Sequence, residues 1–94
     1  MKAYKHLVKH ALKMGCTVSV WDGEEWQIKR STGYKAIIDA IESVDECSLR
    51  IRQLDAVIGV AVVSAFGLAD DETVIDSSDS SFMNEWSEIY EETI

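Results

Sequence analysis

Two cysteines in 94 residues are too few for a disulfide framework. That excludes a stapled secreted scaffold and makes a reduced setting the simplest reading. No apolar run approaches the ~20 residues that a membrane span needs. The longest, Val57 to Phe66, has strand length and is interrupted by Gly59 and Ser64. The N-terminus has lysines but neither the apolar segment nor the small-residue cleavage site of a secretory signal, so none is expected. No glycine-rich phosphate loop, Ser-His-Asp set or pair of catalytic carboxylates can be singled out, so enzyme chemistry is not expected.

Charge of one sign is missing from each end. Residues 1–21 contain no acid but four lysines, Lys2, Lys5, Lys9 and Lys13. Residues 67–94 contain no lysine or arginine but nine acids. The two ends should attract each other, within one molecule or between two. The net charge of −8 is large for 10.5 kDa and disfavours non-specific binding to DNA or anionic membranes. A 47% hydrophobic and 28% charged composition is that of a globular chain, and the length suits one domain spanning 1–94.

Periodicity organises the rest. Tyr4, Leu7, Val8, Ala11 and Leu12 form one face of a helix, with Lys2, Lys5, His6, Lys9, His10 and Lys13 opposite and Gly15 at its end. Val18 and Val20, then Trp26 and Ile28, alternate with polar residues around Asp22-Gly23, a hairpin signal. A two-residue turn would put the valines on the face opposite Trp26 and Ile28. A bulged or longer loop would unite all four, and it is favoured because one helix layer covers only one sheet face. Ser31 and Thr32 are expected to cap a second helix built on Tyr34, Ile37, Ile38, Ile41 and Val44.

Cys47, Leu49 and Ile51 then alternate as a third strand, Gln53–Ala56 turns, and Val57–Phe66 forms a fourth. Thr73–Ile75 reads as an optional short edge strand, and a last helix carries Phe82, Trp86, Ile89 and Tyr90 on one face. A weak repeat relates the first helix and strand to the second helix and third strand, at offsets of 30 and 31, and makes Cys16 and Cys47 equivalent. The expected fold is α+β: an antiparallel sheet of four to five strands, helices on one face, in the order α-β-β-α-β-β-(β)-α.

His6 and His10, four apart, can share a metal ion, but a site needs further ligands and their neighbours are lysines. They are expected to be solvated. Asp70-Asp71-Glu72 with Asp76 and Asp79 could bind a hard cation, but the set lacks EF-hand spacing and reads as a solvated acidic turn. No metal or cofactor is expected. Both thiols should be buried and inert. Trp26 and Trp86 fall on apolar faces and are expected in the core, whereas Trp21 borders the turn and is a candidate partner contact. Lys29, Arg30, Arg50 and Arg52 make a basic stripe on one sheet face, expected to pair with the protein's own carboxylates rather than with nucleic acid.

From Ser19-Val20-Trp21-Asp22-Gly23-Glu24-Glu25-Trp26 through Lys29-Arg30-Ser31-Thr32, the chain resembles small proteins encoded by tailed bacteriophages and prophages. The resemblance continues at Ile41–Glu46, Leu49–Arg52, Asp71–Asp76 and Phe82-Met83, about half of the chain in all. It implies an accessory protein in the host bacterial cytoplasm that binds a host protein, as an inhibitor or a DNA mimic. The expected partner-binding residues are Trp21, Asp70, Asp71, Glu72, Glu85, Glu88, Glu91 and Glu92. A homodimer is a further expected form, without direct nucleic-acid or membrane binding. The alternative is a small-ligand or metal-binding protein with a cleft between sheet and helices.

Overall fold

A computed structural model describes residues 1–94. Helix α1 (Ala3–Lys13) leads into strands β1 (Thr17–Trp21) and β2 (Trp26–Ser31). Helix α2 (Tyr34–Glu42) leads into β3 (Cys47–Gln53) and β4 (Ala56–Val63). A short 3₁₀ turn (Asp70–Glu72), strand β5 (Val74–Ser77) and helix α3 (Ser81–Glu91) complete the chain. The five strands form one antiparallel sheet in the order β2-β1-β3-β4-β5, so the expected architecture is the observed one. The units α1-β1-β2 and α2-β3-β4 lie side by side through β1 and β3, an arrangement that matches the internal repeat.

All three helices pack on one face of the sheet. Tyr4, Leu7, Val8 and Ala11 of α1 are fully buried, as are Ile37 and Ile41 of α2. They meet Val18, Val20, Leu49, Ile51, Ala61 and Val63, which alternate inward along the central strands. Each large aliphatic chain so buried contributes on the order of 1.5–3 kcal/mol. Cys16 and Cys47 are buried in the same core. Burial pushes the Cys47 thiol up to about 11, with the Glu46 charge adding to it, and raises the Cys16 thiol as well.

Helix boundaries depend on distant groups as well as local ones. Gly15 adopts φ +82°, and the Cys16 N–H closes onto the Ala11 carbonyl, ending α1 as expected. The start of α1 has no local cap, since Lys2 stands there. Instead the Thr73 hydroxyl, 69 positions away, accepts the Tyr4 N–H at 3.2 Å and donates to the Asp70 carbonyl at 3.2 Å. Thr73 is fully buried. Helix α2 starts at Gly33 without a side-chain cap, so Ser31 and Thr32 do not have the expected role. Ser31 Oγ accepts the Gly33 N–H instead, two positions before the cap residue.

The first hairpin has a four-residue loop plus bulges, in keeping with the longer connection favoured above. Asp22 organises it: Oδ1 accepts the N–H groups of Glu24 (2.7 Å) and Glu25 (2.8 Å), and Oδ2 accepts Gln27 Nε2 (2.6 Å). These bonds, that of Glu25 foremost, hold the Asp22 carboxyl below its ordinary value. The bulge has an unexpected consequence. Val20 opposes Ile28, but Trp21 opposes Trp26, so Gln27 is the extra residue. Ile28 packs against the core, whereas Trp26 lies on the other face. Trp26 is therefore not a core residue, because one inserted residue reverses the alternation.

Three other boundaries shift. The β3–β4 turn is only Leu54-Asp55, with Leu54 at φ +56°. Strand β4 ends at Val63, and Phe66 is exposed. Strand β5 runs one to two residues later than expected. Helix α3 buries Met83, Trp86 and Tyr90, and leaves Ile89 exposed.

Candidate functional site

Helix α3 docks on α1 through aromatic contacts. Trp86 Nε1 donates to His6 Nδ1 at 3.0 Å, and the His6 ring meets Tyr90 edge-on at 5.1 Å. Tyr90 stacks on Trp86 and donates its hydroxyl to the Met1 carbonyl at 3.1 Å. His10 lies 5.5 Å from the Phe82 ring. Burial first, then the charges of His6 and Lys13, lower the His10 value, with Glu85 opposing them. The two histidines are thus packing and hydrogen-bonding groups, not the solvated pair expected from sequence. No cluster of three or more His, Cys, Asp or Glu side chains is placed to hold a metal ion.

The charge split is not neutralised by ion pairs between the ends. The ion pairs are Lys5–Glu42 (3.9 Å), Arg30–Asp55 (3.4 Å) and Lys35–Asp39 (2.8 Å), none of which joins α1 to the C-terminal acids. The Tyr4 hydroxyl also donates to Glu42, and burial together with that bond raises the tyrosine value. Lys2 reaches the Ala65 carbonyl, and Lys9 sits 5.4 Å from the Tyr34 ring.

The acidic C-terminal region builds a cleft between β5 and α3, about 390 Å³ in volume. Its carboxylates are Asp71, Asp76 and Glu91, and no basic side chain lines it. Its apolar walls are Val74, Ile75, Trp86, Tyr90 and Ile94. Ile75 and Ile94 are 51% and 71% exposed, so the apolar rim is open to a partner. Tyr90 is held above its ordinary value by burial and by the charges of Asp71 and Asp70. Asp70 and Glu72 flank Asp71 on the exposed 3₁₀ turn, and Glu85, Glu88 and Glu92 stay exposed on or just beyond α3. Of the expected partner residues, Asp71 and Glu91 are the two that the cleft brings together. Asp76 and the apolar walls are not among the expected partner residues, because the sequence pattern places the edge strand at Thr73–Ile75 and a cleft between distant segments leaves no local signal.

Trp21 stands elsewhere, on the sheet face that no helix covers. It is half-buried and meets Trp26 edge-on at 4.9 Å. Arg50 lies over the Trp26 ring at 5.2 Å. Lys29, Arg30 and Arg52 are on this face with Trp26 and the buried Ser19, around a depression of about 210 Å³. The basic stripe is therefore real as geometry, but its expected pairing with carboxylates is almost absent: only Arg30 has an acidic partner, Asp55. Compared with known protein families, curated proteins and solved structures, the chain matches none.

Proposed function

We propose that this is a non-enzymatic binding protein whose β5–α3 cleft takes a cationic, partly apolar segment of a protein partner. One observation carries the reading: three carboxylates and five apolar side chains share one open cleft without a single cation. Such a surface favours a segment that pairs basic groups with apolar anchors. The outer edge of β5 borders the cleft, so an extended segment can lie along it. In the phage setting that the resemblance implies, the partner is a bacterial host protein in the cytoplasm. The apolar walls favour a specific docking cleft over pure DNA mimicry, which needs carboxylates alone. No helix of the chain is long and apolar enough to cross a membrane.

The test is capture of bacterial proteins on the immobilised chain, in parallel with the Asp76→Lys/Glu91→Lys variant. The expected result is a captured protein that is lost on charge reversal, released by high salt, and protected by the chain over a basic segment. Identical captured sets on both forms would overturn the reading. A DNA-mimic mode would instead appear as displacement of duplex DNA from the captured protein.

A further inference from the structure

The uncovered face of the sheet carries a second feature independent of the cleft. Its four cations, Lys29, Arg30, Arg50 and Arg52, come from β2 and β3 and face one another across β1. Counting Asp55, the one acid bonded to them, this patch carries +3, which leaves −11 on the rest of the chain. Like charges concentrated in this way repel, and here the protein's abundant carboxylates do not neutralise them. The Asp55 side chain is 98% exposed and reaches Arg30 at only 3.4 Å, a weak surface contact.

Two details mark the depression between Ser19, Trp26, Lys29, Arg30 and Arg52 as built. Arg52 Nε is buried and has no acceptor in the protein. A charged donor left in that state is costly, by more than a typical hydrogen bond contributes. Arg30 is held at φ +47°, uncommon for a side chain of its size. The Ser19 hydroxyl fixes it there by accepting the Arg30 N–H at 2.8 Å. Backbone strain and an orphan donor meet on the same depression, a combination found at functional sites.

We propose that this depression binds the phosphate group of a small phosphorylated ligand, held by Arg30, Arg52 and Lys29 with Trp26 as the apolar wall for the attached group. Guanidinium forks and an ammonium supply donors in more than one plane, which suits a tetrahedral dianion better than a planar monoanionic carboxylate. Arg50 on the Trp26 ring keeps that indole in place and adds to the positive potential. A small ligand is favoured over a nucleic-acid strand because the −8 body repels a polyanion, whereas one phosphate is screened within about 10 Å. The expected cleft for a small ligand lay between sheet and helices; the depression lies on the opposite face of the sheet.

The experiment is a calorimetric and tryptophan-fluorescence titration of the full chain with inorganic phosphate, adenosine monophosphate, adenosine and a short oligothymidylate. Saturable binding of phosphate and the monophosphate, and none of adenosine, is expected. Arg52→Gln should weaken it roughly tenfold or more, as loss of a charge-assisted bond requires. Arg30→Gln and Lys29→Gln, at exposed side chains that do not endanger folding, should weaken it in the same direction. Lys35→Gln, on α2, should change nothing, and none of these variants should affect capture at the β5–α3 cleft. No saturable binding of either phosphate compound, or equal affinity in Arg30→Gln and Lys29→Gln, would overturn the site. Oligothymidylate binding tighter than the monophosphate, with a steep salt dependence, would overturn the small-ligand assignment in favour of a single strand.

Discussion

Replacing Thr73 by Val keeps the shape of the side chain and removes one oxygen, so it isolates the long-range cap on α1. Thr73 Oγ1 is the acceptor for the Tyr4 N–H, and it donates to the Asp70 carbonyl. Both Thr73 and Tyr4 are 0% exposed, so water cannot replace the lost acceptor. Leaving a buried amide unpaired costs about 1–3 kcal/mol, and losing a helix cap costs about 1 kcal/mol by comparison with other caps. These describe the same bond and do not add. The expected loss is therefore about 2 kcal/mol, a sizeable share of the roughly 5–14 kcal/mol that holds a chain of this length together. It should lower the melting midpoint by about 8–16 °C. Urea unfolding followed by circular dichroism measures the loss, and hydrogen exchange at the Tyr4 amide locates it. Thr73→Ser, which keeps the hydroxyl, should preserve protection at Tyr4. If Thr73→Val shifts stability by less than about 0.5 kcal/mol and leaves that amide protected, the capping argument is wrong.

Gly59→Ala would place a Cβ 3.0 Å from Met83 Sδ and 3.2 Å from a Phe82 ring carbon, so it should cost about 1–3 kcal/mol, with Gly59→Val worse; equal denaturation midpoints would show that α3 can yield at no cost. Gly23 has φ +105° with open space around it, so Gly23→Val should lose about 1–2 kcal/mol through backbone strain alone, read from the same unfolding curves. Acidification should destabilise the fold from about pH 6.5 downwards: the folded His10 resists protonation that the unfolded chain accepts, so stability is complete above the ordinary histidine value and declines below it. A flat stability profile between about pH 7.5 and 5.5 would refute this. Neither thiol should react with a labelling reagent faster than the protein opens, since both are buried and Cys47 is raised to about 11; rapid native-state labelling of either would contradict that burial.

The order of elements was legible in the sequence because each depends on a local repeat. Spacing of three and four placed Tyr4, Leu7, Val8 and Ala11 on one buried face, and spacing of two did the same for Cys47, Leu49 and Ile51. Gly15 and Asp22-Gly23 marked their turns because backbone conformation at those points is a property of the residue itself. The candidate sites were legible only as inventories of charge. Trp26 shares its two-residue spacing with Ile28, yet a bulge at Gln27 turns it to the opposite face beside Trp21 and Arg50. No local pattern announces such a bulge, since pairing with β1 decides it. The Thr73–Tyr4 bond and the His6–Trp86 bond join residues 69 and 80 positions apart, and they turn a threonine and a histidine of ordinary surface type into packing groups. The seating of α3 beside β5 brought Asp76 and Glu91 to one cleft, and strand order brought Lys29, Arg30 and Arg52 to one depression. Sequence determines which side chains each element presents, because that follows from backbone period. Tertiary structure decides which of them meet, because that follows from how the elements bury their apolar faces together.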